Sequence, residues 1–227
     1  MSASPSIDPR APGDRRASRA SLRRVPLPLL LLGVALGLTL ALFAFARKKQ
    51  REATQLPTIA HVPAFEARDQ RGRAFRDGEL RGNVWIVDFV FTSCPTVCPR
   101  LTARMAELQG RVEKLGKRRV PVKLLSFSVD PENDTPPVLA AYGAKYGAHD
   151  ATWTFATGKT EDLDRVVVQG FKQRYDKADP SIGIMEVMHG DRFVLVDARG
   201  DIRAYYDTTE PGALDRIVAD VERVADE

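Results

Sequence analysis

The apolar positions of the chain fall into blocks of different period, and each block predicts one element. Val84 to Phe91 is apolar almost throughout and predicts a strand buried on both faces. Leu101, Met105, Leu108, Val112 and Leu115 then recur at helical spacing. Val122 to Val129 predicts a second buried strand. Thr135-Pro136 supplies a helix start, with threonine at the N-cap and proline at the first helical position, and the helix runs to about Tyr146. Thr152 to Ala156 is short and strand-like, and Leu163, Val166, Val167 and Phe171 mark a further helix.

Two segments alternate instead of running apolar. Phe65 to Phe75 does so around Gln70-Arg71-Gly72-Arg73 and predicts a hairpin. Phe193 to Val196 and Ile202 to Tyr206 flank Ala198-Arg199-Gly200-Asp201 and predict an antiparallel hairpin. Leu214, Ile217, Val218, Val221 and Val224 close the chain with an amphipathic helix. A strand–helix–strand–helix start followed by a β-hairpin and a last helix predicts an α/β fold of thioredoxin-like architecture, a mixed sheet flanked by helices. No internal repeat interrupts this order.

The N-terminal part follows a different pattern. Residues 1–24 are rich in Ser, Pro, Ala and Arg and read as a basic tail. Residues 25–46 carry no charge and are rich in Leu and Ala. As a helix they span a hydrocarbon core of roughly 30 Å. They predict a transmembrane anchor, with Pro26 and Pro28 at its start, where proline is tolerated. Ala44-Phe45-Ala46 leaves a cleaved signal peptide as the alternative, although the apolar stretch is longer than such signals use. Residues 47–60 read as a linker and 61–227 as the folded domain. Arg10, Arg15, Arg16, Arg19, Arg23 and Arg24 precede the apolar segment, and Arg47, Lys48, Lys49 and Arg51 follow it. The excess upstream predicts an N-terminus on the cytoplasmic side of the inner membrane and a domain that is periplasmic, or on an equivalent non-cytoplasmic side.

Charge changes the picture once it is divided. The net charge is +4. Residues 1–51 hold ten Lys or Arg and two Asp, or +8, which leaves −4 for residues 52–227. The basicity belongs to the membrane flanks, so no nucleic-acid partner is expected.

The chemistry is concentrated in Phe91-Thr92-Ser93-Cys94-Pro95-Thr96-Val97-Cys98-Pro99, directly after the first buried strand. Cys94 and Cys98 are the only two cysteines. At the mouth of a helix such a pair can cycle between dithiol and disulfide or hold a soft metal ion. Proline is excluded from helix interiors, so Pro99 predicts that the helix proper starts there, with Cys94 to Cys98 as a turn before it. A structural disulfide is a weaker reading, because a three-residue gap closes too small a loop to stabilise much. The C-x-x-x-C spacing is wider than the C-x-x-C of thioredoxin-type oxidoreductases. The stretch before Phe193, Met185-Glu186-Val187-Met188-His189-Gly190-Asp191-Arg192, has no proline but offers a histidine. Two thiolates and one imidazole suit Cu(I) and still accommodate Cu(II). Met185 and Met188 are possible thioether ligands or core filler, and His61 and His149 read as surface residues.

Three motifs together resemble the Sco/SenC copper-protein family. They are Val87 to Pro99, Ser128-Val129-Asp130-Pro131-Glu132-Asn133-Asp134-Thr135-Pro136, and His189 ahead of Phe193-Val194-Leu195-Val196-Asp197. The resemblance spans roughly residues 60–224. It implies a membrane-anchored, thioredoxin-like metallochaperone that carries copper. The recipient would be the cytochrome c oxidase subunit with the dinuclear copper centre, or another copper chaperone. It also implies Cys94, Cys98 and His189 as ligands, with Asp130 supporting the site. Many members carry Asp-His-Ser at the histidine, where this chain has Met188-His189-Gly190. No turnover enzyme is implied. The alternative is a thiol–disulfide oxidoreductase in which Cys94 and Cys98 reduce the cysteines of a copper acceptor. A peroxiredoxin fits poorly, since its upstream proline and its Thr-to-Cys spacing are missing.

Overall fold

A computed structural model describes residues 28, 31–33, 36–43, 45, 55–162, 164–171 and 192–227. The chain divides into two compact units, Met1–Ala53 and Thr54–Glu227. In the first, every described residue is helical (α1), and its leucines and phenylalanines are more than half exposed. Among the described residues no helix is long and apolar enough to cross a membrane. The expected anchor at 25–46 falls partly outside the described residues.

Among the described residues the second unit has eight strands. These are β1 (Ala60–His61), β2 (Glu66–Asp69), β3 (Ala74–Arg76), β4 (Val84–Val90), β5 (Val122–Ser128), β6 (Trp153–Gly158), β7 (Arg192–Val196) and β8 (Asp201–Asp207). They form one sheet in the order β1-β8-β7-β4-β5-β6-β2-β3. β4, β5 and β6 are parallel, and every other pairing is antiparallel. The helices are α2 (Val97–Lys114), α3 (Pro136–Lys145) and α4 (Ala213–Ala225). A π-helical segment, Asp164–Gly170, replaces the α-helix expected around Leu163–Phe171.

β4 lies at the centre of the sheet, and all seven of its residues are buried. Alternation sends Trp85, Val87 and Phe89 into one core and Val84 and Ile86 into the other. That is why the segment is apolar without a period. α2, α3 and α4 cover the face of Val84 and Ile86, through Leu101, Met105, Leu108, Leu139, Ile217 and Val221. The N-terminal hairpin and the π-helical segment cover the other face, where Phe89 meets Phe171 edge-on at 5.0 Å. Gly143 lets α3 approach β6, because a Cβ there would lie 2.7 Å from the Phe155 ring.

Residues 55–60 run along β8. The Ile59 N–H donates to the Ile202 carbonyl at 2.8 Å, and Arg203 donates through Nε and Nη2 to the Leu56 carbonyl. Arg203 is buried and also pairs with Asp197 at 2.9 Å and Glu227 at 3.0 Å. This cluster lies at the N-terminal end of β4, since Trp85 pairs with Val196. The cysteines follow the opposite, C-terminal end.

Candidate metal and redox site

β4 and β5 run parallel and stop together, tied by Val129 N–H to the Val90 carbonyl at 2.9 Å. The loop after each strand carries one of the sequence motifs. After β4 the chain turns at Phe91–Cys94, closed by Cys94 N–H to the Phe91 carbonyl at 3.2 Å. It then enters α2 at Val97, two residues before the predicted start. Pro99 is therefore the third residue of the helix. The first four N–H groups of a helix have no partner inside it, so proline there costs no hydrogen bond.

This shift puts Cys98 in the first turn of α2 and Cys94 just outside it. The Cys98 N–H donates to Cys94 Sγ at 3.4 Å. Both thiols are free. Their environments differ. Burial raises the Cys94 thiol, but the N–H groups of Cys98, Thr96 and Val97 outweigh it and hold the thiol below its ordinary range. Cys98 is 5% exposed, and burial pushes its thiol far up. Cys94 is thus the more acidic and more accessible of the two sulfurs, and Cys98 the less acidic and more deeply buried one.

The loop after β5 brings in carboxylates. Asp134 is fully buried and accepts from the Thr92 N–H at 3.2 Å, the Thr92 hydroxyl at 2.5 Å and the Ser128 hydroxyl at 2.6 Å. Burial raises its carboxyl, and the Ser128 and Thr92 donors only partly offset this. Asp130, expected in a supporting role, turns its carboxylate onto Asn133 Nδ2 at 2.9 and 3.0 Å. The carboxylate that reaches the cysteine turn is Asp134. Its signal in the sequence was its place in Asp130-Pro131-Glu132-Asn133-Asp134-Thr135, but spacing alone did not say which acid turns inward.

Asp88 was also unforeseen as a chemical group. It is fully buried in β4, on the α2 side, and neither oxygen has a hydrogen-bond donor among the described residues. Burial pushes it up to about 7, slightly offset by nearby Ser126 and its own backbone. Its charge also raises the Cys98 thiol.

His189, Met185 and Met188 lie outside the described residues. Two of the three expected ligands, Cys94 and Cys98, are brought together. His61 and His149 are exposed and pair with Asp201 at 2.9 Å and Glu113 at 2.8 Å, away from the cysteines. Among the described residues no cluster of three metal-ligating His, Cys, Asp or Glu side chains forms. The described part supplies two sulfurs of unequal acidity at a helix N-terminus. That donor set suits a soft ion that a third ligand completes, and it equally suits a disulfide.

Comparison with known proteins agrees with this geometry. The family model SCO1/SenC matches residues 53–226. A SCO1 protein homolog of Bacillus subtilis is 35% identical over 167 residues, covering 73% of this chain and 83% of the relative. The solved structure of BsSco, described as a member of the Sco family of cytochrome c oxidase assembly proteins with a disulfide switch, is 32% identical. It superposes with a TM-score of 0.66 over 76% of this chain and 98% of that one. Copper-bound ScoI of Bradyrhizobium japonicum shares the fold, at 24% identity and a TM-score of 0.60 over 73% of this chain and 99% of that one. With its sheet, its cysteine turn and the matched family model, this chain belongs to the SCO1/SenC family.

Proposed function

We propose that this protein binds one copper ion through Cys94, Cys98 and His189 and passes it to an acceptor during assembly of the copper centre of cytochrome c oxidase. The observation that carries the reading is the unequal thiol pair at the start of α2. Cys94, held toward thiolate by helix N–H groups and only half-buried, is the sulfur an incoming ion meets first. Cys98 must give up its proton to become the second ligand, and metal binding supplies the drive for that loss. A soft ion held by few ligands can leave stepwise to a partner's thiolates. Membrane attachment through residues 25–46, with the domain on the non-cytoplasmic side, belongs to the same proposal. It rests on the uncharged apolar stretch and the arginine excess before it.

A second reading has its own support. The two free thiols, with the Cys94 sulfur accepting from the Cys98 N–H, together with the disulfide switch described for BsSco, favour a thiol–disulfide reductase acting on an acceptor's cysteines. His189 separates the two, because redox cycling needs only sulfur. On the copper reading, the His189→Ala full chain in detergent loses at least tenfold in copper affinity and keeps its disulfide potential. Full affinity for both copper oxidation states in His189→Ala would overturn the three-ligand site and favour the reductase.

A further inference from the structure

Three donors converge on the Asp134 carboxylate, and all come from the two strand ends that carry the site. Thr92 contributes its N–H and its hydroxyl, and Ser128 its hydroxyl. No ion pair joins this carboxylate to a cation among the described residues. A fully buried carboxylate without a cation is costly unless its hydrogen bonds are good, so the arrangement is a specific one. Hydroxyls and N–H groups that all donate need a group that only accepts, which carboxylate is and an amide is not.

What hangs from this clamp is the thiol pair. Thr92 is the second residue of the turn that the Cys94 N–H closes onto Phe91. The position of that turn decides whether Cys94 Sγ lies over the Cys98 N–H, where it is found at 3.4 Å. Asp134 itself is fixed from behind, its N–H donating to the Asp130 carbonyl at 2.8 Å, and Asp130 N–H donates to Ser128 Oγ at 3.0 Å. The chain of contacts therefore runs from the β5 loop to the Cys94 sulfur without touching it directly.

We infer that Asp134 is a positioning residue of the thiol pair: through Thr92 it locks the Phe91–Cys94 turn so that the Cys94 sulfur stays on the N-terminus of α2. The inference concerns the sulfurs that the copper reading uses. Its test needs no metal, so its failure would leave that reading standing.

The experiment is amide hydrogen exchange on the reduced, metal-free full chain in detergent, resolved by residue. In Asp134→Asn, exchange at the Cys98 N–H should speed up at least tenfold, while the amides of Met105 and Leu108 further along α2 keep wild-type protection. Thr92→Val should act in the same direction, and Thr92→Ser, which keeps both donors, should behave as wild type. Asp69→Asn is the control for general destabilisation. Asp69 is another buried carboxylate that holds a turn, through the Arg71 and Arg73 N–H groups, but at the far end of the sheet. It should leave Cys98 exchange unchanged. If the Cys98 amide exchanges at the wild-type rate in Asp134→Asn, or if Asp69→Asn accelerates it equally, the positioning role is wrong.

Discussion

Cys98 donates its backbone N–H to the sulfur of Cys94 at 3.4 Å, so the helix that buries one thiol stabilises the thiolate of the other. The pair is chemically asymmetric before any metal or partner arrives. Cys94 should therefore be alkylated at least tenfold faster than Cys98 at neutral pH, because thiolate fraction and access both favour it. Residue-resolved mass spectrometry of the reduced chain, quenched over time, measures the ratio. Equal rates would show that the helix N-terminus does not distinguish the two sulfurs.

Asp88 predicts a pH dependence of opposite sign to that of a salt-bridged carboxylate. Burial raises it from 3.8 to about 7 in the fold. Between these values the unfolded chain has released the proton and the folded chain still holds it. The unfolded state thus binds fewer protons, and stability falls as pH rises. The loss begins near pH 4, is complete above about 7, and amounts to about 4 kcal/mol. Denaturant melts of the wild type against Asp88→Asn from pH 5 to 8 should show the variant gaining on the wild type as pH rises. A constant difference across that range would contradict this.

Much of this fold was legible because burial on both faces leaves a plain mark: Val84–Val90 and Val122–Ser128 are apolar runs, and the hairpins were marked by Gly72 and Gly200. The candidate site stands out in the sequence through its two cysteines, which a motif fixes in number and spacing. Its carboxylates were not. Asp88 interrupts an apolar run, and sequence cannot say whether such an acid is paired, while Asp130 and Asp134 differ only in which way a loop turns. The start of α2 was misjudged because a proline rule for helix interiors was applied to a first turn, where Pro99 is harmless. Residues 55–60 read as a linker because one arginine, Arg203, holds them from 147 residues away, beyond any local pattern.

That arginine gives the next prediction. Arg203→Ala leaves Asp197 and the Leu56 carbonyl without their buried donor. It should destabilise the domain by about 3–5 kcal/mol. Chemical denaturation measures it, with Cys94 alkylation in the folded variant unchanged because the cluster sits at the other end of β4. A cost below about 1 kcal/mol would mean that water replaces the arginine at no loss.

Topology is tested separately. Reporter fusions after residue 60 should read as exported and should remain with the membrane fraction. A cytoplasmic reading would overturn the proposed orientation, and a soluble mature chain starting at Arg47 would replace the anchor with a cleaved signal.

The most direct test of the account is copper stoichiometry in two redox states of the same full chain in detergent. Cys94 and Cys98 are free in the structure, and a disulfide between them would leave no thiolate to bind metal. The reduced chain, loaded and desalted, should hold about one copper per molecule, bound through sulfur. Oxidation to a verified Cys94–Cys98 disulfide should release that copper completely. Tightly bound copper retained by the disulfide form would contradict the account, because the metal would then sit away from the two cysteines.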